Sequence, residues 1–97
     1  MLKKEFKIVN RLGLHARAAA ALVQLAGKFS SEITLRKEKL SINCKSIMGV
    51  LMLAAACGST IIVEVAGEDE CEALQAVGNL IDDGFGELQR DGKSERP

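Results

Sequence analysis

Residues 13–27 read GLHARAAAALVQLAG and include the only histidine of the chain, His15. The segment 16–26 carries a broad apolar stripe at helical spacing, holds a single β-branched residue, and is followed directly by Gly27. A glycine just past an apolar periodic segment commonly ends a helix. The pattern therefore predicts a helix over 16–26, with His15 at the point where a turn runs into it.

The front of this predicted helix lacks the residue types that usually cap a helix. A helix start leaves about four backbone N–H groups unpaired, and Ser, Thr, Asp or Asn normally accepts from them. Leu14, His15 and Ala16 stand at the candidate cap positions instead. The free N–H groups, the positive end of the helix dipole and the Arg17 guanidinium would together attract an anion. The sequence thus predicts a phosphate-sized anion site clamped by the backbone of Ala16, Arg17 and Ala18.

A histidine beside such a site can act as a nucleophile. The positive field disfavours the charged imidazolium, and the neutral ring is the nucleophilic form. On spacing alone, however, a lone histidine at a helix start is more often a solvated surface residue. Both interpretations of His15 remain open on this stretch by itself.

A second motif follows at residues 45–50, which read KSIMGV. GLHAR, the alanine-rich helix and KSIMGV, in this order, resemble the bacterial family of histidine-containing phosphocarrier proteins, HPr. The resemblance runs from about residue 3 to residue 87. It implies that His15, assisted by Arg17, accepts a phosphoryl group derived from phosphoenolpyruvate. Enzyme I of the phosphotransferase system is the implied donor, and enzyme II sugar-permease components are the implied acceptors.

The chain departs from the family pattern directly after Arg17, where most members have proline and this sequence has Ala18. Proline presets φ in the first turn of a helix and lacks an N–H that has no partner there anyway. Ala18 keeps that N–H and loosens the turn. We expect an intact site with a less rigid first turn.

Ser46 precedes an apolar stretch that predicts a second helix, continuing to Ala56 and ended by Gly58. Its position indicates a helix N-cap. The resemblance also implies regulation, because a dedicated kinase phosphorylates the matching serine in some members of the family. A serine kinase/phosphorylase and a transcription factor are then further partners. Lys45 is expected to favour an anion at this helix start.

The second predicted helix is too apolar to bury all of its side chains. If Val50 and Leu53 pack inward, the remaining apolar residues of the helix cannot all be hidden. An exposed patch of Met, Ile and Leu usually marks a partner surface, and the resemblance places this patch beside His15. The predicted interface consists of Ala20, Gln24, Ile47, Met48 and Leu51.

The rest of the chain predicts four strands and a third helix. Alternation of apolar and polar residues indicates strands at Lys4–Val9, Glu32–Lys37, Leu40–Asn43 and Thr60–Ala66. The third helix starts in the acidic stretch 67–70 and ends at 82–84, with a core stripe of Leu74, Val77, Leu80 and Ile81. Gly78 is expected to weaken it by about 1 kcal/mol relative to alanine.

The element order is therefore βαββαβα. Short connections and one-sided alternation indicate an α+β fold with a four-stranded antiparallel sheet and helices on one face. The resemblance implies the HPr-like open-faced β-sandwich with three helices. We expect one domain at residues 1–88 and a flexible tail at 89–97; the polar, aperiodic character that indicates a frayed tail begins at Glu87.

Composition narrows the function classes. The 97 residues include 13 basic and 13 acidic side chains, which argues against nonspecific nucleic-acid binding. No apolar run approaches ~20 residues and no signal-peptide segment is evident, so we expect no membrane insertion and a cytoplasmic monomer. Three cysteines without a CxxC pair, beside one histidine, predict neither a metal site nor a cofactor. The cysteines are Cys44, Cys57 and Cys71, expected as apolar fillers or bystanders.

The leading hypothesis is a phosphoryl carrier that is not a stand-alone enzyme, because a Walker loop, a metal-binding acid pair and a second nucleophile are missing from the sequence. One alternative is a regulatory module or corepressor that docks in its Ser46-phosphorylated form; relatives specialised in this way lack the histidine. Another is a nitrogen-type regulatory relay without sugar transport. An RNA or ligand module is disfavoured by the neutral charge and the scarcity of aromatic residues.

Overall fold

Four strands, three helices and one short 3-10 turn build the molecule, for which a computed structural model describes residues 1–87. The elements are β1 (Leu2–Lys7), α1 (Ala16–Ala26), β2 (Glu32–Lys37), β3 (Leu40–Asn43), α2 (Ile47–Leu53), β4 (Thr60–Ala66), α3 (Glu70–Asp82) and the 3-10 turn Gly84–Gly86. The order βαββαβα is the predicted one. The predicted tail, residues 89–97, lies outside the described residues.

The strands form one antiparallel sheet in the order β1-β4-β2-β3. Alternate residues of β4, Ile61, Val63 and Val65, are completely buried. The register sets Ile61 opposite Phe6 of β1 and Val63 opposite Leu35 of β2, so one sheet face supplies the core. The helices cover this face, while the residues that alternate with the core positions are half-buried or exposed. The predicted α+β architecture is confirmed.

Strand β1 lies two residues earlier than predicted. It begins at Leu2, which stands opposite Val65, and it ends at Lys7 because β4, its partner, begins at Thr60. Beyond Lys7 the chain pairs with the turn before β4: the Ile8 N–H donates to the Ser59 carbonyl at 2.9 Å. Ile8 still reaches the core and is fully buried, as the alternation predicts.

Helix α2 ends at Leu53, three residues before the predicted end. Ala54 adopts a left-handed conformation (φ 50°, ψ 41°) and its N–H donates to the Leu51 carbonyl at 3.1 Å. The Lys37 ammonium donates to the carbonyls of Leu53 and Ala54, both at 3.3 Å, which satisfies the end of the helix. The apolar residues after Leu53 therefore form a loop that supports the candidate site.

Helix α3 packs on β1 through a position without a side chain. A Cβ atom at Gly78 would lie 2.6–2.7 Å from the Phe6 ring, so glycine allows the close contact between the two elements. The packing offsets the helix weakening that glycine brings. The core stripe differs from the predicted one: Leu74 and Leu80 are only partly buried, and the buried set is Ala73, Val77, Gly78 and Ile81.

Candidate functional site

His15 is the N-cap residue of α1, as predicted. Its backbone is extended (φ −80°, ψ −178°), its side chain makes no capping hydrogen bond, and its carbonyl accepts the first helical bond from Ala19 at 2.8 Å. Within residues 1–87, the N–H groups of Ala16, Arg17 and Ala18 have no hydrogen-bond acceptor. The start of the helix therefore presents three free donors and the positive end of the dipole beside the imidazole.

The loop before His15 is fixed to the segment after α2. Gly13 has φ 68°, and a Cβ atom there would lie 2.5 Å from the Ala55 carbonyl oxygen, so both conformation and space require glycine. The Leu14 N–H donates to that carbonyl at 2.9 Å, and the His15 N–H donates to the Gly13 carbonyl at 2.9 Å. Leu14 itself is buried. These contacts hold the backbone of His15 in one place.

The carboxylate of Glu87, a residue predicted to begin a frayed tail, contacts the imidazole. His15 Nε2 lies 2.5 Å from Oε2 of Glu87, and Asn10 Nδ2 donates to Oε1 of Glu87 at 2.8 Å. The Asn10 amide also donates to the Gly13 carbonyl at 2.9 Å, and Asn10 is fully buried. The prediction of a frayed chain at Glu87 is therefore wrong for this residue.

The 3-10 turn after α3 directs Glu87 back to the site. Phe85 adopts a left-handed conformation (φ 58°) and is buried, and Gly84 and Gly86 on either side also have positive φ. Three successive residues with positive φ form this turn, and no periodic pattern in the sequence indicates it. A large apolar residue between two glycines is the only local signal of an anchored turn here.

The Glu87 carboxyl is held in its charged form. Partial burial, the largest single influence, raises its pKa, whereas hydrogen bonds from Asn10 and His15 lower it. The charge that His15 carries when it is protonated and the charge of Arg17 act in the same direction, and together these influences place the pKa below the ordinary value of glutamate. The predicted site contained only positive groups beside the histidine, and the structure adds a negative one.

Arg17 occupies the first turn of α1, next to His15, and is exposed. Its charge is close enough to lower the pKa of Glu87. Among the described residues, no hydrogen bond or ion pair engages its guanidinium. The side chain therefore has no partner in this part of the chain, and its role in binding an anion at the start of α1 stays a prediction.

Ser46 is the N-cap of α2, and its Oγ accepts from the Gly49 N–H at 3.1 Å, which confirms the predicted cap. The neighbouring Lys45 makes a contact within the fold that the sequence did not indicate. Its ammonium donates to the carbonyl of Phe29 at 2.7 Å, at the connection between α1 and β2. Lys45 therefore joins the start of α2 to the connection after α1, and its role toward an anion stays a prediction.

Exposed apolar side chains lie on α2 and on the loop before His15. Ile47 and Met48 are 41% and 66% exposed, while Leu51 is partly buried against the core. Met52, 64% exposed, and Leu12, 66% exposed, belong to the same class and were missed. Met52 lies one helical turn after Met48, so its spacing could have indicated it. Of the other predicted interface residues, Ala20 is half-buried and Gln24 is exposed.

The three cysteines are free thiols, one of them buried and two of them exposed. Burial raises the pKa of the Cys44 thiol to about 12, although the charge of Lys45 lowers it slightly, and Cys57 and Cys71 are exposed and free. In the part of the chain that the structure describes, no group of three His, Cys, Asp or Glu side chains could hold a metal ion. No helix of residues 1–87 is long and apolar enough to cross a membrane.

The sequence matches a family model, "PTS HPr component phosphorylation site", over residues 2–83. A phosphocarrier protein HPr from Cupriavidus necator is 51% identical over 87 residues, which cover 90% of this chain and 98% of the relative. The HPr of Neisseria meningitidis serogroup A is 49% identical with the same coverage. The solved structure of HPr-C-His from Thermoanaerobacter tengcongensis has a TM-score of 0.86 and 43% identity, covering 89% of this chain and 97% of the other.

Proposed function

This chain belongs to the HPr family of phosphoryl carriers of the phosphotransferase system, and we propose that His15 is the residue on which it carries the phosphoryl group. Membership of this family implies enzyme I and enzyme II components as partners. The observation that supports His15 is its position beside three unpaired N–H groups at the start of α1. It is also the only histidine in the chain.

In the proposed reaction, a lone pair on the imidazole attacks the phosphorus atom of the group carried by enzyme I. The nitrogen–phosphorus bond forms as the bond to the donor breaks, and the electron pair of that bond leaves with the donor. The developing charge on the phosphoryl oxygens is stabilised by the N–H groups of residues 16–18 and by the Arg17 guanidinium. Transfer to enzyme II reverses the roles, with His15 as the leaving group. The protein is a substrate of both steps and not a catalyst by itself.

The proposed docking surface consists of the exposed apolar side chains of α2 and their neighbours on α1. Ile47 and Met48 are large, apolar and exposed, and unbranched methionine adapts to more than one partner. Such a surface suits a carrier that binds enzyme I and enzyme II in turn. The full proposed set is Ala20, Gln24, Ile47, Met48 and Leu51, to which the exposure of Met52 and Leu12 adds two members.

The proposal extends to regulation at Ser46. Ser46 is half-buried at the start of α2, directly before the exposed Ile47 and Met48, so a phosphate there would lie beside the docking surface. A serine kinase/phosphorylase and a transcription factor are the partners that such a switch requires. As part of the same proposal, the carrier works in the cytoplasm as a monomer. A regulatory relay without sugar transport would use the same residues and is the second candidate.

The carrier assignment is tested by phosphorylation with phosphoenolpyruvate and enzyme I, followed by mild acid. We expect one acid-labile phosphate per chain, absent in His15→Ala and retained in Ser46→Ala, because only an imidazole phosphate is released under these conditions. Circular dichroism checks that both variants fold. Acid-labile label that persists in His15→Ala would contradict the assignment.

A further inference from the structure

Strand β1 lies at an edge of the sheet, where one side of its backbone has no partner strand. The sheet order is β1-β4-β2-β3, and within residues 1–87 β1 pairs only with β4. Alternate N–H and C=O groups of an edge strand point away from the sheet and are free to pair with another extended chain. β1 presents such a row along Leu2–Lys7.

A groove of about 360 Å³ lies between this edge strand and α3. Leu2 and Phe6 of β1 and Leu74 and Gly78 of α3 give the groove an apolar lining. Leu2, Lys4 and Phe6 alternate along the strand, so the groove follows one side-chain face of β1. An extended chain paired with the free edge of β1 would direct every second side chain toward this groove, because neighbouring strands share the pleat.

The charges on this face of β1 offset each other. The Lys4 ammonium lies 5.3 Å from the centroid of the Phe6 ring, and Asp82 of α3 adds a carboxylate to the lining, so the groove carries one charge of each sign. Its remaining lining is largely apolar. Neutral, apolar side chains therefore suit the groove face of a strand added to β1.

The opposite face of β1 carries two separated positive charges. Lys3 and Lys7 are exposed, and no ion pair engages their ammonium groups in the described part of the chain. Glu5 lies between them. Acidic side chains opposite the two lysines would form two cross-strand charge pairs, whereas an acidic side chain opposite Glu5 would be repelled. This face therefore fits a strand with two acidic residues four positions apart and a neutral residue midway.

Two other occupants fit the edge less well. Two antiparallel β1 strands related by a two-fold axis set one residue opposite its own copy, and at the middle of β1 this is Lys4 against Lys4 or Glu5 against Glu5. Residues 88–97 of this chain contain one leucine, no β-branched residue and no aromatic residue. They therefore lack the alternating apolar side chains that the groove requires.

We propose that the free edge of β1 and the groove beside α3 bind an extended segment of another protein, which adds a fifth strand to the sheet. Backbone hydrogen bonds to β1 supply affinity, and the side chains supply specificity. Apolar residues at alternate positions enter the groove, and the two acidic residues between them face Lys3 and Lys7. The groove residues are separate from the site of His15, so this binding does not depend on the proposed function of the histidine.

The probe is an acetylated and amidated peptide of sequence Val-Glu-Val-Thr-Val-Glu-Val, which has the required pattern in either strand direction. The control peptide has lysine in place of both glutamates. Binding to the 15N-labelled protein is followed by nuclear magnetic resonance, together with the hydrogen exchange of the β1 amides. Alkylation by N-ethylmaleimide provides a second readout, because Cys71 is an exposed thiol that lines the groove, and Cys57, exposed in the connection between α2 and β4, is its matched control.

We expect the glutamate peptide to slow the exchange of alternate amides of Leu2–Lys7 and to slow the alkylation of Cys71 but not of Cys57. The double variant Lys3→Glu/Lys7→Glu should bind this peptide about 5-fold more weakly or less tightly still, since two favourable charge pairs become repulsive. Lys39→Glu, an exposed lysine in the turn between β2 and β3, should bind like wild type. His15→Ala should also bind like wild type, which separates this inference from the proposed carrier function.

Several outcomes would overturn the inference. One is the absence of binding at about 1 mM peptide, a concentration at which even weak recognition is visible. Another is equal binding of the lysine peptide, and a third is binding that leaves the β1 amides and Cys71 unprotected. Protection of the β1 amides that rises with protein concentration alone would assign the edge to a second copy of this chain instead.

Discussion

At the scale of single residues, the site combines opposite charges around one imidazole. The start of α1 and Arg17 are positive and suit the phosphate of the proposed function, whereas the Glu87 carboxylate is negative and favours positive charge on the ring. The Glu87 carboxylate contacts the ring at Nε2, with 2.5 Å between the two atoms.

Arg17→Lys tests whether the guanidinium makes directional contacts with the phosphate. The side chain is exposed, so the fold should be unchanged, but a point charge copies the fork of two N–H donors poorly. Phosphorylation by enzyme I and transfer to enzyme II should both slow on the order of 10-fold, equivalent to about 1.4 kcal/mol and so to roughly one charge-assisted hydrogen bond. Arg11→Lys, an exposed arginine in the preceding loop, is the matched control. Equal rates for both variants and wild type would mean that the helix N–H groups suffice.

Residue types and local spacing predicted that His15 and Arg17 lie at the start of α1 and that this start is uncapped. Each of these features depends on neighbours within one helical turn. Glu87 could not be predicted in the same way. It is 72 positions from His15 in sequence, and its approach depends on the left-handed Phe85 between two glycines. Contacts of this kind are set by tertiary structure after the local elements have formed, and no periodic pattern encodes them.

At the scale of elements, the predicted bounds are correct where a clear residue signal ends the apolar pattern, and they are wrong where that signal is missing. The bounds of α1, β2, β3 and β4 match the prediction because each apolar pattern ends at a turn or charged residue. Helix α2 was predicted too long because alanines continue its apolar character, whereas Ala54 turns left-handed without the glycine that usually marks such a position. The loop of residues 54–56 is instead fixed by the hydrogen bond that the Leu14 N–H donates to the Ala55 carbonyl.

Two substitutions of Ser46, at the start of α2, distinguish a capping role of this residue from a regulatory role. Ser46→Ala removes the acceptor of the Gly49 N–H and should lower the free energy of unfolding by about 1 kcal/mol, without changing transfer by enzyme I. Ser46→Asp retains a cap and should keep the stability. It should slow transfer, because docking would have to desolvate a charge beside the exposed Ile47 and Met48.

The measurements are urea unfolding and the rate of phosphorylation by enzyme I, at low and at moderate ionic strength. Added salt should partly restore the rate of Ser46→Asp if repulsion from an acidic partner contributes. Identical rates for wild type and both variants at each ionic strength would leave Ser46 with a capping role only.

At the scale of the whole molecule, side-chain hydrogen bonds tie the helices to distant connections. Asp69, the residue before α3, accepts from the N–H groups of Ser30 and Ser31 at 2.9 and 3.0 Å and also from the Ser31 hydroxyl. Lys45 joins the start of α2 to the Phe29 carbonyl in the same connection between α1 and β2. The segment that follows α1, the helix that carries His15 at its start, is thereby fixed to both other helices.

The Asp69 contacts predict a specific loss of stability in acid. The hydroxyl of Ser31 and then the N–H of Ser30 lower the pKa of the Asp69 carboxyl below its ordinary value. A carboxyl whose pKa is lower in the folded protein stabilises the fold above its unfolded pKa, about 3.9 for aspartate, and this stability is lost as the pH falls through the folded value. Asp69→Asn should therefore be less stable than wild type at neutral pH, with a difference that shrinks steadily below about pH 4.

The measurement is urea unfolding of wild type, Asp69→Asn, Ser31→Ala and the double variant at several pH values. Because Ser31 and Asp69 share a hydrogen bond, their effects at neutral pH should be less than additive. In acid, where the carboxyl is protonated, that coupling should fall toward zero, since the charge that strengthens the bond has been removed. A difference between wild type and Asp69→Asn that stays constant from neutral pH into acid would show that the carboxylate charge contributes nothing, and that the hydrogen bonds alone hold α3 to the connection after α1.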